Sequence, residues 1–225
     1  MAEPDPNQPA GPDPVHAFRL DEQAVRALRF VAELLPRAAA DPYLWKWVVA
    51  ATHDALHGFM ALALRRTDGA QLRIPKHERQ TYDRWERERQ QYRPLPHDEG
   101  DRIDQFLNLF EKIQDEQRMR QFVHSTVFVP TDDQDLSVRY LDRLRNDLTH
   151  YSDTTRIVRL AELPRVVLDC VGVVDWLLAR SNNVTIFDPS SEDAAKRAIR
   201  EIQEETHLLG DRWAAAGGTE APRVP

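Results

Sequence analysis

The chain has 225 residues, enough for one substantial hydrophobic core, and its 41% hydrophobic and 30% charged residues are ordinary for a soluble globular protein. A formal net charge of −7 argues against a general nucleic-acid coat but leaves room for a local basic cleft. A single cysteine permits no intrachain disulfide, and we find neither a leader peptide nor an uninterrupted run of about 18 apolar residues, so we expect a cytoplasmic protein that does not cross a membrane.

The apolar pattern predicts an all-α protein, because helical spacing dominates and β-branched runs are rare. Residues 1–20 form a Pro-rich tail that we expect to be disordered. Residues 21–209 are predicted to form a single helical domain, with a helical insertion at about 67–98. Residues 210–225 are predicted to be a second disordered tail.

Two helices are predicted to open the domain, at residues 21–37 and 43–66. Asp21 is the expected N-cap of the first, and Asp41 and Pro42 are the expected cap and first turn of the second. The second is the most apolar element and should lie at the centre of the bundle. The expected inward residues of the two helices are Ala24, Leu28, Val31, Leu35, Trp45, Val48, Val49, Leu56, Phe59, Met60 and Leu64.

The second helix also carries two histidines, His53 and His57, four residues apart. The segment resembles a zinc-protease signature with Asp54 in place of Glu. Because Asp is a methylene too short to activate a metal-bound water, and no third-ligand motif follows, we interpret both as core or supporting histidines and expect no metal site. Asp54, a carboxylate on a buried helix, requires a cationic partner, for which Arg145 is the candidate.

A polar helix is predicted at residues 75–92, inside a stretch (65–93) in which nine Arg and Lys outnumber five Asp and Glu. Arg84, Arg87 and Trp85 are candidates to bind single-stranded RNA through phosphate contacts and base stacking. The simpler interpretation is a surface insertion whose aromatic residues pack on the body and whose ion pairs face water. Composition alone favours the simpler interpretation.

The second half of the chain is predicted to hold four more helices. They span residues 101–120, then 132–150 with Asp132 or Asp133 as cap, 163–179, and a last helix to residue 209 that Ser190 or Ser191 caps and Gly210 ends. Residues 122–130 have strand-like composition but no partner run, so we expect an ordered loop. Cys170, among aliphatic residues, is expected to be a packing thiol. The expected inward residues of the 101–120 helix are Ile103, Phe106, Leu109, Phe110 and Ile113.

The helix at 132–150 carries the candidate site. Its apolar stripe consists of Leu141, Leu144, Leu148 and Tyr151. Beside the stripe, Asn146 and His150 share one face because they are four residues apart, and Arg145 is long enough to reach that face. A guanidinium, an amide and an imidazole held together suit the binding of a phosphate and the transfer of a proton. The alternative is structural: Arg143 pairs with Asp147, and His150 lies favourably near a helix C-terminus.

At Arg145-Asn-Asp-Leu-Thr-His150 the chain resembles the HEPN superfamily, whose members carry Arg-x4–6-His near the end of a late helix. Trp45-Lys-Trp-Val-Val and Leu163-Pro-Arg-Val-Val-Leu-Asp-Cys also resemble bacterial HEPN-like proteins, and the resemblance covers about residues 21–182. It implies an antiparallel helical bundle. It also implies a homodimer with two motifs across one cleft, and RNA cleavage without metal or cofactor.

The resemblance also implies roles for the motif residues. His150 would act as general base or acid at the ribose 2′-hydroxyl, Arg145 would stabilise charge on the phosphate, and Asn146 would orient the phosphate or His150. Asp54, His57 and Tyr151 would support them. A toxin or defence effector of this kind would have an antitoxin or a nucleotidyltransferase as partner. The alternative is a non-catalytic, dimeric interaction or nucleotide-binding module.

Overall fold

The computed structural model describes residues 18–66, 70–73, 75–90, 103–149, 155 and 157–215. Within these ranges the chain is an all-α helical bundle, as predicted, and none of the described residues forms a β-strand. The α-helices are α1 (Leu20–Ala38), α2 (Trp45–Leu64), α3 (Pro75–Gln90), α4 (Phe106–Lys112), α5 (Glu116–Met119), α6 (Asp132–Thr149), α7 (Leu163–Ala179) and α8 (Pro189–Ala215). Short 3-10 turns lie at Pro42–Leu44, Ala70–Leu72 and Leu160–Glu162.

Helix α2 is the centre of the bundle, and α1, α6 and α7 pack around it. All eleven inward positions predicted for α1 and α2 are buried. The segment Pro42–Leu64 is long and apolar enough to cross a membrane, but 72% of its most apolar window is buried within the protein. Because the other helices cover it, its hydrophobicity is explained by its place in the core.

Outer helices complete the bundle on either side of α2. Helix α8 lies against both α1 and α7, and α7 also contacts α6. The bounds of α7 match the prediction, and Cys170 is buried within it. Burial raises the pKa of that thiol well above its usual value, so the group is a packing residue, as predicted.

Several helix starts differ from the prediction. Asp21 is not an N-cap: it lies inside the first turn of α1, buried, with its carboxylate 2.8 Å from Arg19. Helix α6 is capped by neither Asp132 nor Asp133. Instead, the Thr131 hydroxyl accepts from the Gln134 backbone N–H (3.2 Å), and the Gln134 side chain accepts from the Thr131 N–H (3.1 Å). This reciprocal pair is a capping box.

The predicted cap and the predicted end of the last helix were both wrong. Asp188, rather than Ser190 or Ser191, caps α8, because its carboxylate accepts from the backbone N–H groups of both serines, each at 3.1 Å. The helix continues through Gly210 to Ala215. A mid-helix glycine costs only about 1 kcal/mol, and the burial of Leu209 beside it offsets that cost. Asp41, predicted as the cap of the second helix, caps the 3-10 turn Pro42–Leu44 before α2 instead, accepting from the Tyr43 N–H at 3.0 Å.

The helix predicted at residues 101–120 is in fact two short helices, α4 and α5. The chain turns at Ile113 and Gln114, and the Asp115 side chain caps α5 by accepting from the Gln117 N–H at 2.8 Å. The predicted inward residues are buried except Ile103, which is 36% exposed. Residues 122–130 form a loop, as predicted.

The insertion and the two tails are described only in part. Helix α3 lies where a polar helix was predicted, and residues 67–69, 74 and 91–102 of that region lie outside the described ranges. Most of the predicted N-terminal tail (1–17) and residues 216–225 of the C-terminal tail also lie outside them.

Gly58 allows α1 and α2 to approach closely, because a Cβ built there would lie 2.7 Å from the Ala24 Cβ. We expect Gly58→Ala to destabilise the fold by about 1–2 kcal/mol, since overpacking outweighs the gain in helix propensity. Urea unfolding measures the effect. The matched control is Gly172→Ala in α7, where the added Cβ would meet the Gln134 side chain at an ordinary 3.5 Å. That variant should keep or slightly increase stability; equal losses in both would contradict the close-approach explanation.

Candidate functional site

The motif residues Arg145 and Asn146 lie side by side near the end of α6. The Arg145 guanidinium donates to the Asn146 side-chain oxygen at 3.0 Å, and the Thr149 hydroxyl donates to the Arg145 carbonyl at 2.7 Å. Arg145 is half-buried and Asn146 is exposed. The third predicted motif residue, His150, and the predicted supporting residue Tyr151 lie outside the described residues.

The opposite face of α6 is fixed to the core, which sets the direction of the motif. Leu141 and Leu144 are buried, as the apolar stripe predicted, and Leu148 is half-buried. The buried Ser137 hydroxyl donates to Asp169 of α7 at 2.5 Å. Packing against the core and this hydrogen bond to α7 therefore fix α6, which carries Arg145 and Asn146.

His53 of α2 is a core histidine, as predicted, at 4% exposure. Its ring stacks on Phe106, with centroids 4.0 Å apart. Its Nε2 lies 3.3 Å from an Asp142 carboxylate oxygen, and its Nδ1 lies 3.5 Å from Asp54. Both ring nitrogens therefore face carboxylates, one from α6 and one from α2.

His57, one turn further along α2, is half-buried, and its Nε2 lies 3.0 Å from the Asp104 carbonyl oxygen. A carbonyl only accepts hydrogen bonds, so Nε2 must carry the proton and, in the neutral ring, Nδ1 holds the lone pair. Burial lowers the pKa of His57 below its ordinary 6.5, and electrostatic repulsion from the neighbouring His53 and Arg145 lowers it further. The Asp104 carbonyl and Asp54 act in the opposite direction without reversing the shift. His57 is therefore a neutral imidazole at pH 7, with the charge of Arg145 nearby.

Asp104 joins the site to the rest of the fold. Its backbone N–H donates to the Leu72 carbonyl at 2.7 Å, and its carbonyl accepts from His57. Its fully buried carboxylate accepts from Asn108 at 2.8 Å and lies 3.0 Å from the Lys112 ammonium. That ammonium also donates to the carbonyls of two residues of the 70–73 segment. A buried carboxylate is thus paired with a buried ammonium, and both are hydrogen-bonded further.

Sequence reasoning missed this pair. Asp104, Asn108 and Lys112 recur at i, i+4 and i+8, which places them on one side of α4 and its approach. This spacing is the signal that could have found them. The apolar stripe that runs through the same segment drew attention to Phe106 and Phe110 instead.

The predictions that the Asp54 carboxylate needs a cationic partner and that Arg145 is that partner were wrong. The Asp54 carboxylate is 64% exposed, so it needs no buried cation. Its described neighbour is His53, and the Arg145 guanidinium bonds to Asn146 instead. Asp54 lies on the solvent side of α2 because the helix turns its other faces towards α1, α6 and α7. The carboxylate that α6 brings to His53 is that of Asp142, which is 20% exposed.

The three RNA-binding candidates of α3 lie in different surroundings. Trp85 lies beside Tyr82, with ring centroids 6.0 Å apart, and lines a groove next to α5. Arg87 is exposed and donates to the Asp83 carbonyl of its own helix at 3.2 Å. Arg84 is half-buried and does not line that groove.

Among the described residues, no cluster of three or more His, Cys, Asp or Glu side chains has the arrangement of a metal site.

Comparison of the chain with protein-family models, with curated proteins and with solved structures gave no match. The site must therefore be interpreted from its own chemistry.

The proximity of Arg145 to His57 can be tested directly. We expect Arg145→Gln to raise the pKa of His57, because a positive charge that disfavours the imidazolium is removed. A histidine-detected NMR pH titration measures the change.

The matched control for that titration is Arg143→Gln on the same helix. The Arg143 guanidinium lies 5.9 Å from the Tyr140 ring centroid and is not among the charges that act on His57. An unchanged His57 pKa in Arg145→Gln, or an equal rise in both variants, would contradict the described proximity.

Proposed function

We propose that this protein is a metal-independent endoribonuclease of the HEPN type. The observation that carries the proposal is the arrangement at the α6–α2 contact. There the Arg145 guanidinium donates to the Asn146 side chain at 3.0 Å, and the charge of Arg145 helps to lower the pKa of His57 on α2. In the proposal the guanidinium binds the phosphate, and the imidazole of His150 transfers the proton near neutral pH.

The proposed reaction needs no redox or metal chemistry. His150 accepts the proton of the ribose 2′-hydroxyl, the 2′-oxygen forms a bond to phosphorus, and the bond to the 5′-oxygen breaks. The products are a 2′,3′-cyclic phosphate and a 5′-hydroxyl end, and the departing 5′-oxygen takes up a proton. Arg145 stabilises the charge on the phosphate oxygens, and Asn146 orients the phosphate or His150.

His57 and Asp54 support this chemistry. With its Nε2 proton directed at the Asp104 carbonyl, the neutral His57 ring has Nδ1 left as an acceptor. The exposed negative charge of Asp54 raises the pKa of His57 and so partly offsets the effect of Arg145, which lowers that pKa. Tyr151, next to His150, is the third supporting residue in the proposal.

We further propose that the active form is a homodimer. Two exposed aromatic residues, Phe30 (44%) and Trp47 (52%), line a groove of about 570 Å³ between α1 and α2, and Asp54 lines the same groove. Exposed aromatic surface of this kind is enriched in protein interfaces. A second copy covering it would bring two motifs to one cleft.

The proposed setting is the cytoplasm, where the enzyme would act as a toxin or defence effector on RNA. A single buried cysteine suits a reducing compartment. An antitoxin or a nucleotidyltransferase would then be the controlling partner. This biological role depends on the ribonuclease activity and is tested together with it.

The test is incubation with total RNA in EDTA, followed by analysis of the product ends. We expect the wild type to produce 2′,3′-cyclic phosphate and 5′-hydroxyl ends. His150→Ala and Arg145→Ala should each reduce the rate by about 100-fold or more, because each removes a general acid–base or a charge-stabilising group.

The controls are matched by residue type. Arg143→Ala on α6 and His124→Ala in the 122–130 loop change exposed residues of the same kinds and should retain activity. Circular dichroism checks that each variant keeps its helices, and sedimentation equilibrium should give a dimer. Cleavage that EDTA abolishes, that survives both site variants, or that a monomer performs would refute the proposal. No cleavage by the wild type would favour a non-catalytic, dimeric interaction or nucleotide-binding module.

A further inference from the structure

A second polar surface lies at the C-terminal end of α2. It is a groove of about 700 Å³ between α3, the end of α2 and the segment that follows α5. Its lining combines arginines, glutamines and aromatic rings: Arg65, Arg66, Arg89, Arg120, Gln71, Gln117, Gln121, Tyr82, Trp85 and Phe122. No carboxylate of the described residues lines it, although the protein as a whole is acidic. The groove is thus a local basic patch on a protein of net negative charge.

The aromatic rings of the groove are accessible to a ligand. Tyr82 is 41% exposed and Phe122 is 63% exposed, and they lie on opposite walls. Trp85 is half-buried, and the Arg89 guanidinium lies 4.9 Å from its ring centroid. Exposed flat rings next to guanidinium groups can stack on nucleobases while the cations contact phosphates.

The wall opposite α3 is held by the body of the protein. The Gln121 side chain donates to the Ala63 carbonyl at 2.9 Å, and the buried Asn183 side chain donates to the Met119 carbonyl at 2.7 Å. Met119 itself is fully buried. Phe122 and Arg120 are therefore presented from an anchored segment. Arg120 also pairs with Glu116 at 2.7 Å, which uses part of its donor capacity and leaves other N–H groups for a phosphate.

We propose that this groove binds single-stranded RNA, with bases stacked on the aromatic rings and phosphates on the arginines. A duplex keeps its bases paired and stacked on each other, so it cannot use the rings, and an acidic peptide has no bases to stack. The choice of RNA as ligand rests on the proposed function, but the binding itself does not require cleavage.

The position of the groove relative to the candidate site fits one continuous strand. Arg65 follows His57 by eight residues along α2, a distance of about 12 Å at 1.5 Å per residue. The 70–73 segment, which carries Gln71 of the groove, is bonded to Asp104 and Lys112 beneath His57. The groove would therefore hold a flanking part of the RNA whose scissile phosphate lies at Arg145.

The experiment measures binding of a fluorescent single-stranded RNA whose 2′-O-methyl riboses block cleavage. We expect Trp85→Ala and Phe122→Ala each to weaken binding about 5- to 150-fold, the usual loss for one stacked base. Arg89→Gln should weaken binding and reduce the slope of log K against log salt by about 0.7, the value for one phosphate contact.

Arg79→Gln is the matched control, since it makes the same charge change ten residues earlier on the same helix but outside the groove. It should bind as the wild type does, and Arg145→Ala should still bind the flanking strand in the groove. Absence of binding by the wild type, equal affinity for duplex RNA or an acidic peptide, or equal losses in Arg79→Gln and Arg89→Gln would each overturn the inference. If the wild type binds the RNA but does not cleave RNA, the proposed ribonuclease activity is rejected and the proposed RNA-binding groove stands.

Discussion

The hydrogen bond from His57 to the Asp104 carbonyl is the interaction on which the described site depends. It links the central helix α2 to the approach of α4, and it fixes which nitrogen of His57 carries the proton. Asp104 can make this bond because its other groups are held as well: its N–H by Leu72 and its carboxylate by Asn108 and Lys112. Removal of one partner from a buried ion pair of this kind costs about 3–5 kcal/mol, so the position of the carbonyl is strongly determined.

Two chemically different regions lie near the His57–Asp104 hydrogen bond, one beside α6 and one at the end of α2. On the side of α6, the Arg145 guanidinium donates to Asn146 and its charge helps to lower the pKa of His57, and guanidinium and imidazole groups suit a phosphate and a proton. At the end of α2, exposed aromatic rings and arginines form a groove of about 700 Å³. The 70–73 segment contacts both regions through Lys112 and Asp104. The ion pair that fixes the imidazole therefore also fixes one wall of the groove.

Helical periodicity was sufficient to predict the bundle, the burial of α2 and the bounds of α7, because these follow from apolar spacing along a single helix. Capping residues were harder to predict, because Thr131, Asp132 and Asp133 are all acceptable N-caps. Only the final position of α6 selects Thr131, which forms a capping box with Gln134. The environment of Asp54 and the Asp104–Lys112 pair depend on which helix faces which. That information lies in tertiary packing, and a local pattern does not contain it. The positions of Arg145 and Asn146 on α6 could be predicted from spacing, whereas the influence of Arg145 on His57 could not, because it depends on the fold.

The most direct test is the protonation state of the His57 ring, read from long-range proton–nitrogen NMR correlations at pH 7. We expect a neutral ring with the proton on Nε2, because the Asp104 carbonyl accepts from that nitrogen and burial disfavours the imidazolium. A proton on Nδ1 alone, or a fully charged imidazolium at that pH, would contradict it. Either result would mean that the Asp104 carbonyl does not hold the His57 ring as described.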